Sequence, residues 1–227
     1  MTPQPDELPL IALRAGSSAY AEAARSAVKR AMDFSGALVG LLVLMPVMLT
    51  VAVLIRLDSP GPIFFRQLRR GYRGRLFWVV KFRTMQVDAE ARLKDLEDKN
   101  ESGGKVLFKM KNDPRVTPLG RFLRKSSLDE LPQLINILRG EMSIVGPRPL
   151  QIRDSELLLA EDSEGYRRRL QVMPGLTGPW QVGGRSAVDS ARMVEMDVEY
   201  ANNWTILGDV AIILRTVVAV IVGRGAC

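Results

Sequence analysis

The stretch FSGALVGLLVLMPVMLTVAVLI, residues 34–55, runs for 22 residues without a charge. A run of eighteen or more apolar residues marks a membrane helix, and this constrains the chain more than any other feature. It starts too late for a signal peptide, and no small-residue cleavage site follows. Basic residues flank it on both sides: Lys29 and Arg30 before, Arg56, Arg66, Arg69 and Arg70 after. The positive-inside rule therefore places both ends in the cytoplasm. Pro46 sits near the middle, where it removes a backbone donor and breaks or kinks a helix. Each half of about 11 residues is about 17 Å long, roughly half of a hydrocarbon core of about 30 Å. The expectation is a hairpin that enters and leaves by one leaflet, with Thr50 among the partners for backbone groups freed at Pro46. An ordinary kinked spanning helix is the alternative.

Charge narrows the chemistry. The net charge is +7 and the pI is about 9.8, which favours polyanionic partners: lipid headgroups, phosphorylated substrates or nucleic acid. A nucleic-acid partner is not expected, because no recognition motif accompanies the basic surface. The chain has no histidine and one cysteine, Cys227. The usual general base, a thiolate metal site and an intrachain disulfide are thereby excluded. Catalysis has to rest on carboxylates, Lys/Arg and a hard metal ion held through oxygen.

The chain divides into a loose tail over 1–20, a membrane hairpin over 21–57 and a remaining domain over 58–227. Seven basic residues and no acid lie between Arg66 and Arg83, enough for an anionic-lipid patch beside the membrane helix. LFWVVKF reads as a strand, with GYRG as a hairpin turn before it. Residues 86–100 look like a solvated helix and 100–105 a flexible loop. Residues 117–140 read as two short helices or one bent one, stopped at Gly140. SIVGPRP is a buried strand ending in a rigid turn. Residues 153–170 form an amphipathic helix region, 173–186 are loop-rich, and 190–204 are helical. Residues 207–223 are apolar but carry Asp209 and Arg215, which suits an interfacial or packed helix better than a second span. Arg167, Arg168 and Arg169 read as a solvated or lipid-facing cluster. Tyr166, Tyr200 and Trp204 read as packing or interfacial anchors, and Trp180 suits either a packed indole or a ligand wall.

In LDELPQLINIL, Asp129 and Glu130 stand together between a basic segment and an apolar run. Pro132 suits a first helical turn, so the pair sits near the positive end of a helix. One reading is a helix cap. The other is a carboxylate nucleophile of the kind that forms aspartyl-phosphates, with a second carboxylate able to hold Mg²⁺ and nearby cations to neutralise a phosphoryl group.

KFRTM (81–85), DPRVTPLGRFLRKSSLDELPQLINIL (113–138), MSIVGPRP (142–149) and PGLTGPWQV (174–182) together resemble the bacterial sugar transferase family. These are the polyprenyl-phosphate hexose-1-phosphate transferases, or monotopic phosphoglycosyl transferases. The resemblance runs from about Lys29 to the C-terminus. It implies a predominantly helical α+β fold: a re-entrant membrane helix-break-helix, then a membrane-associated catalytic domain with short strands and interfacial helices. It implies transfer of hexose-1-phosphate from a UDP-sugar to undecaprenyl phosphate, releasing UMP and starting exopolysaccharide or O-antigen-type glycan assembly. Asp129 matches the nucleophile that forms a phosphosugar-aspartate in a ping-pong reaction. Glu130 matches the carboxylate that, with Asp129, holds Mg²⁺. Lys81, Arg83, Arg124 and Arg148 match phosphate-contacting positions, Gln181 lines the sugar or uridine site, and Pro46 matches the membrane break. At that break Met45 stands where a small polar residue is usual.

The resemblance also implies the bacterial inner membrane, with the catalytic domain on the cytoplasmic face. A homodimer follows by analogy with larger relatives. Those relatives carry a further multi-span N-terminal region, so the chain is expected to be a stand-alone catalytic unit. Two other functions stay open on the residues alone. One is a phosphatase that hands the same aspartyl intermediate to water; the other is a membrane scaffold without turnover.

Overall fold

The computed structural model describes residues 18–101, 106, 110, 112–184 and 188–222. Residues 1–17 of the expected tail, most of the 100–105 loop and Cys227 lie outside the described residues, while 18–20 already belong to the first helix. Helix α1, Ser18–Asp58, carries the uncharged segment. Its portion Ser26–Asp58 is long and apolar enough to cross a membrane. Pro46 does not divide it, so the expected break into two helices is not seen. Losing one backbone donor does not outweigh strong helix formers on both sides and packing along one face. Thr50 Oγ1 donates to the Pro46 carbonyl at 2.9 Å.

That packed face is continuous. Asp33, Ala37, Val51 and Ile55 are buried at helical spacing, with Leu41 and Met48 partly buried between them. Ala37 packs with Phe77, Val79, Leu134, Ile137 and Met142, while Val51 and Ile55 pack with Phe82 and Leu123. The stripe from Lys29 to Ile55 is about 39 Å long at 1.5 Å per residue. The domain therefore holds both ends of the apolar segment. At the N-terminal end Asp33 Oδ1 accepts from the Ser143 hydroxyl (3.0 Å) and the Ile144 N–H (2.9 Å). Arg30 donates to the Ile137 and Leu138 carbonyls near the end of helix α3.

Strands β1 (Phe64–Arg70) and β2 (Leu76–Phe82) form the expected hairpin. The turn between them puts Arg73 and Gly74 at positive φ. Over residues 91–99 the expected helix is instead a run of 3₁₀ turns, and nearby Ala89 and Leu96 are buried. Helix α2 (Pro118–Lys125) is capped by Thr117, whose side chain accepts from the Gly120 N–H. A separate 3₁₀ turn, Leu128–Glu130, leads to helix α3, Gln133–Arg139. Strand β3 (Ser143–Val145) and the dipeptide strand β4 (Leu150–Gln151) flank the GPRP turn.

The expected amphipathic region divides into α4 (Ile152–Glu161) and α5 (Ser163–Arg169), because Asp162 ends one helix and caps the next. The loop-rich segment holds β5 (Gly175–Thr177) and the short helix α6 (Pro179–Gly183). Helices α7 (Ser190–Asn202) and α8 (Ile206–Val222) complete the described chain. One sheet is antiparallel in the order β2-β1-β4; β3 and β5 pair in parallel. The architecture is thus predominantly helical with short strands. A third core cluster gathers Leu150, Leu158, Tyr166, Leu170, Trp180, Met193 and Val194, which assigns Trp180 and Tyr166 to packing.

Candidate active site

Three segments converge. The first is the end of β2. Asn136 of α3 is fully buried and clamps this strand: its Oδ1 accepts from Val80 N–H (3.1 Å) and its Nδ2 donates to the Trp78 carbonyl (2.7 Å). Lys81 follows immediately and reaches Glu130 Oε1 at 2.9 Å. The second segment is the turn 128–130. Ser127 adopts a left-handed conformation (φ 57°) and redirects the chain, so Asp129 turns inward and is buried. Pro132 takes the N-cap position of α3 with no side-chain cap bond, so the pair lies one turn ahead of the helix and does not cap it. The third is Pro147–Arg148–Pro149. Arg148 donates to the same Glu130 oxygen at 2.6 Å.

Arg124 closes the group. Its Nε donates to Thr84 Oγ1 at 3.0 Å. The approach needs a glycine: a Cβ on Gly120 would collide with the Thr84 carbonyl. That carbonyl also accepts from the Thr117 N–H. Arg124 feels the charges of both Asp129 and Glu130, and burial lowers its pKa.

The two neighbouring carboxyls are driven in opposite directions. Burial raises the Asp129 pKa to about 6, and the adjacent Glu130 charge adds to the effect; Lys81, Arg124 and Arg148 oppose it. Glu130 is held far below the usual carboxylate range, because Arg148 and Lys81 overcome its burial. Burial also brings Lys81 down to about 8. The Glu130 charge raises Arg148 further. Glu130 is therefore a fixed anion that organises two cations. Asp129 is different: among the described residues no hydrogen bond or ion pair engages its oxygens. Such a carboxylate is under-solvated and open to an electrophile.

The other expected site residues fall elsewhere. Arg83 is buried and donates to the Pro60 (2.6 Å) and Ser59 (2.8 Å) carbonyls. It secures the link from α1 to β1 and does not join the carboxylate group. Gln181 is buried on α6, which packs against α7 and α8. Arg169 is not a surface cation. It is buried in an ion pair with Asp197 (2.7 Å) and donates to the Arg148 carbonyl (2.9 Å). Arg69 was also missed at the sequence level. It is buried, bonds the Pro149 carbonyl and interacts electrostatically with Arg148 and Glu130. These two arginines hold the Arg148 turn from behind. Strand alternation could have found Arg69, since it shares its parity with Phe65, the cross-strand partner of Lys81. The Arg169–Asp197 pairing leaves no local signal.

The model for bacterial sugar transferases matches residues 24–223. The chain belongs to the bacterial sugar transferase family. Exopolysaccharide production protein ExoY of Sinorhizobium fredii is 42% identical over 201 residues, spanning 87% of each chain. Galactosyl transferase CpsE of Streptococcus agalactiae is 44% identical over 199 residues, 87% of this chain but 43% of that protein. UDP-glucose:undecaprenyl-phosphate glucose-1-phosphate transferase of Escherichia coli is 41% identical over 204 residues, covering 88% of this chain and 41% of its own length. The chain thus spans less than half of these last two relatives and most of ExoY.

A divalent cation fits the residues present. Both bonds to Glu130 fall on Oε1, leaving Oε2 and the Asp129 oxygens outside the described bonds. No group of three or more acidic side chains that could hold a metal occurs among the described residues. Two carboxylates with substrate phosphate and water suit Mg²⁺, which seldom uses an all-protein cage.

Proposed function

We propose that this protein transfers a hexose-1-phosphate from a UDP-sugar to undecaprenyl phosphate at the cytoplasmic face of the bacterial inner membrane. The observation that carries this reading is the open, buried Asp129 carboxylate facing the charges of Lys81, Arg124 and Arg148. The relatives' names support the substrates: one states UDP-glucose and undecaprenyl phosphate.

An ionised Asp129 oxygen attacks the β-phosphorus of the UDP-sugar. The bond from that phosphorus to the oxygen bridging the two phosphates breaks, and UMP leaves with that oxygen and the electron pair. The phosphosugar stays on Asp129 as an acyl phosphate. A phosphate oxygen of the lipid acceptor then attacks the same phosphorus, and Asp129 leaves as carboxylate. Lys81 and Arg148, aligned by Glu130, and Arg124, aligned by Thr84, neutralise charge on the transferring group. Bound Mg²⁺ would screen the diphosphate and stabilise the departing UMP. Glu130 and Asp129 would hold it.

Both ends of the α1 apolar segment rest on one domain, which favours a helix held on one side of the membrane over one that spans it. The test is UMP release from a panel of UDP-sugars with Mg²⁺, with and without undecaprenyl phosphate. Multiple turnovers that need the lipid and vanish in Asp129→Asn are expected. Sustained release of UMP and free sugar phosphate without lipid would replace the transferase with a hydrolase.

A further inference from the structure

The Arg148 turn is short of backbone donors. Pro147 and Pro149 have no N–H, so the turn is fastened through its carbonyls. All three are held, each from a different element. The Pro147 carbonyl accepts from the Gly175 N–H of β5 at 2.9 Å. The Pro149 carbonyl accepts from Arg69 of β1, and the Arg148 carbonyl from Arg169 Nη2 of α5 at 2.9 Å. The first hold is backbone and needs no aiming. The other two depend on long side chains, which lose rotamer freedom in reaching a fixed point. Arg69 is steered from its own strand, where Gln67 Oε1 accepts from its Nη2 at 2.7 Å.

Arg169 is steered from farther away. Helix α7 buries Met193, Val194 and Asp197 along one face. The first two join the core around Leu158 and Trp180; the third is a carboxylate with no exposure at all. Asp197 Oδ2 accepts from Arg169 Nη2 at 2.7 Å and from Nε at 3.1 Å. The same Nη2 that meets the carboxylate donates to the Arg148 carbonyl. Asp197 Oδ1 accepts no hydrogen bond among the described residues. A wholly buried ion pair adds little stability, and two apolar side chains of similar volume would often pack as well. Such side chains could not aim Nη2 at the carbonyl.

Resting on the transferase reading, we infer that Asp197 is a positioning residue for the reaction: by orienting Arg169 it holds the Arg148 backbone, and with it the guanidinium that meets the transferring phosphate. That guanidinium also donates to Glu130 at 2.6 Å, so a shift of the turn disturbs the carboxylate pair as well. The influence runs from α7 through α5 to the turn, and Asp197 itself stays out of reach of the substrate.

A double-mutant cycle tests this, read as UMP release by the full chain in lipid nanodiscs with Mg²⁺, undecaprenyl phosphate and the UDP-sugar that the wild type uses. Asp197→Asn keeps the shape and removes the charge that aims Arg169. It should lower kcat about ten- to a hundred-fold, the scale of a misplaced catalytic group, with KM for the UDP-sugar little changed. In an Arg148→Ala background the same change should cost less than about two-fold, because the group it positions is gone. Arg169→Lys keeps a cation beside Asp197 but lacks the Nε–Nη2 fork. It should behave in the same way, and it carries the test where Asp197→Asn does not fold. Equal losses in both backgrounds would overturn the inference and leave Asp197 a packing residue. A raised KM with kcat unchanged, or full activity in a folded variant, would overturn it too. No UMP from the wild type with any UDP-sugar would remove the transferase reading and this inference together.

Discussion

Asp129→Asn should abolish turnover and make the protein more stable. In the folded protein Asp129 binds its proton up to about pH 6, against 3.8 for an ordinary aspartate. A carboxyl whose folded pKa is raised favours folding only while protonated. Its contribution is fully present below about pH 4, falls as pH rises through about 6, and is flat above. The shift of about two units, at 1.36 kcal/mol each, puts the cost of ionised Asp129 at about 3 kcal/mol above pH 7. At pH 5 the cost is about half that. Asparagine keeps the shape and removes the charge, so about 3 kcal/mol is a ceiling on the gain. In a chain of this size each kcal/mol moves the melting temperature by about 2–4 °C. The assay is thermal unfolding of both proteins in lipid nanodiscs, without Mg²⁺, at pH 5 and pH 8. The variant should melt several degrees higher at pH 8, with a smaller increment at pH 5. An equal increment at both pH values, or none at pH 8, would refute the reasoning that Asp129 is held as a strained anion.

UMP release under kcat/KM conditions should fall below about pH 6 as Asp129 takes up its proton, and fall again above about pH 8 as Lys81 loses one. A flat profile between pH 5 and 7 would detach Asp129 from the rate. Glu130→Gln should lose about 3 kcal/mol of stability, since Lys81 and Arg148 are left buried without their shared anion; denaturant unfolding measures it, and a neutral result would contradict the role of Glu130 as organiser. Arg148→Ala should lower kcat by about 10²–10³, the scale for one donor at a developing charge. Arg83→Ala should instead lower the melting temperature by releasing the Ser59 and Pro60 carbonyls, with KM for the UDP-sugar unchanged.

Much of the site was legible because its parts are local. Asp129 and Glu130 are adjacent, while Lys81, Arg124 and Arg148 come from the family resemblance, and the structure sets all three near the carboxylate pair. Arg83 was offered by the resemblance alone, and the structure places its guanidinium on the Ser59 and Pro60 carbonyls. It lies just past the end of β2 at Phe82, where the chain leaves the strand. Distant pairs were invisible: Asp33 with Ser143 and Arg169 with Asp197 join segments 110 and 28 residues apart. No periodicity encodes them. Pro46 shows local propensity losing to tertiary packing, since α1 continues where the residue alone calls for a stop.

On the proposed membrane reading, the stripe that fastens α1 to the domain from Lys29 to Ile55 also bears on how a lipid acceptor is met. A domain gripped at both ends of its anchor has no tether on which to swing, so the Asp129 carboxylate proposed as nucleophile would stay at one height above the leaflet. The search for the acceptor is then two-dimensional. At fixed UDP-sugar, the rate of the second half-reaction should follow the mole fraction of undecaprenyl phosphate in the bilayer. Adding inert phospholipid would slow it by surface dilution, even though the amount of acceptor per millilitre is unchanged.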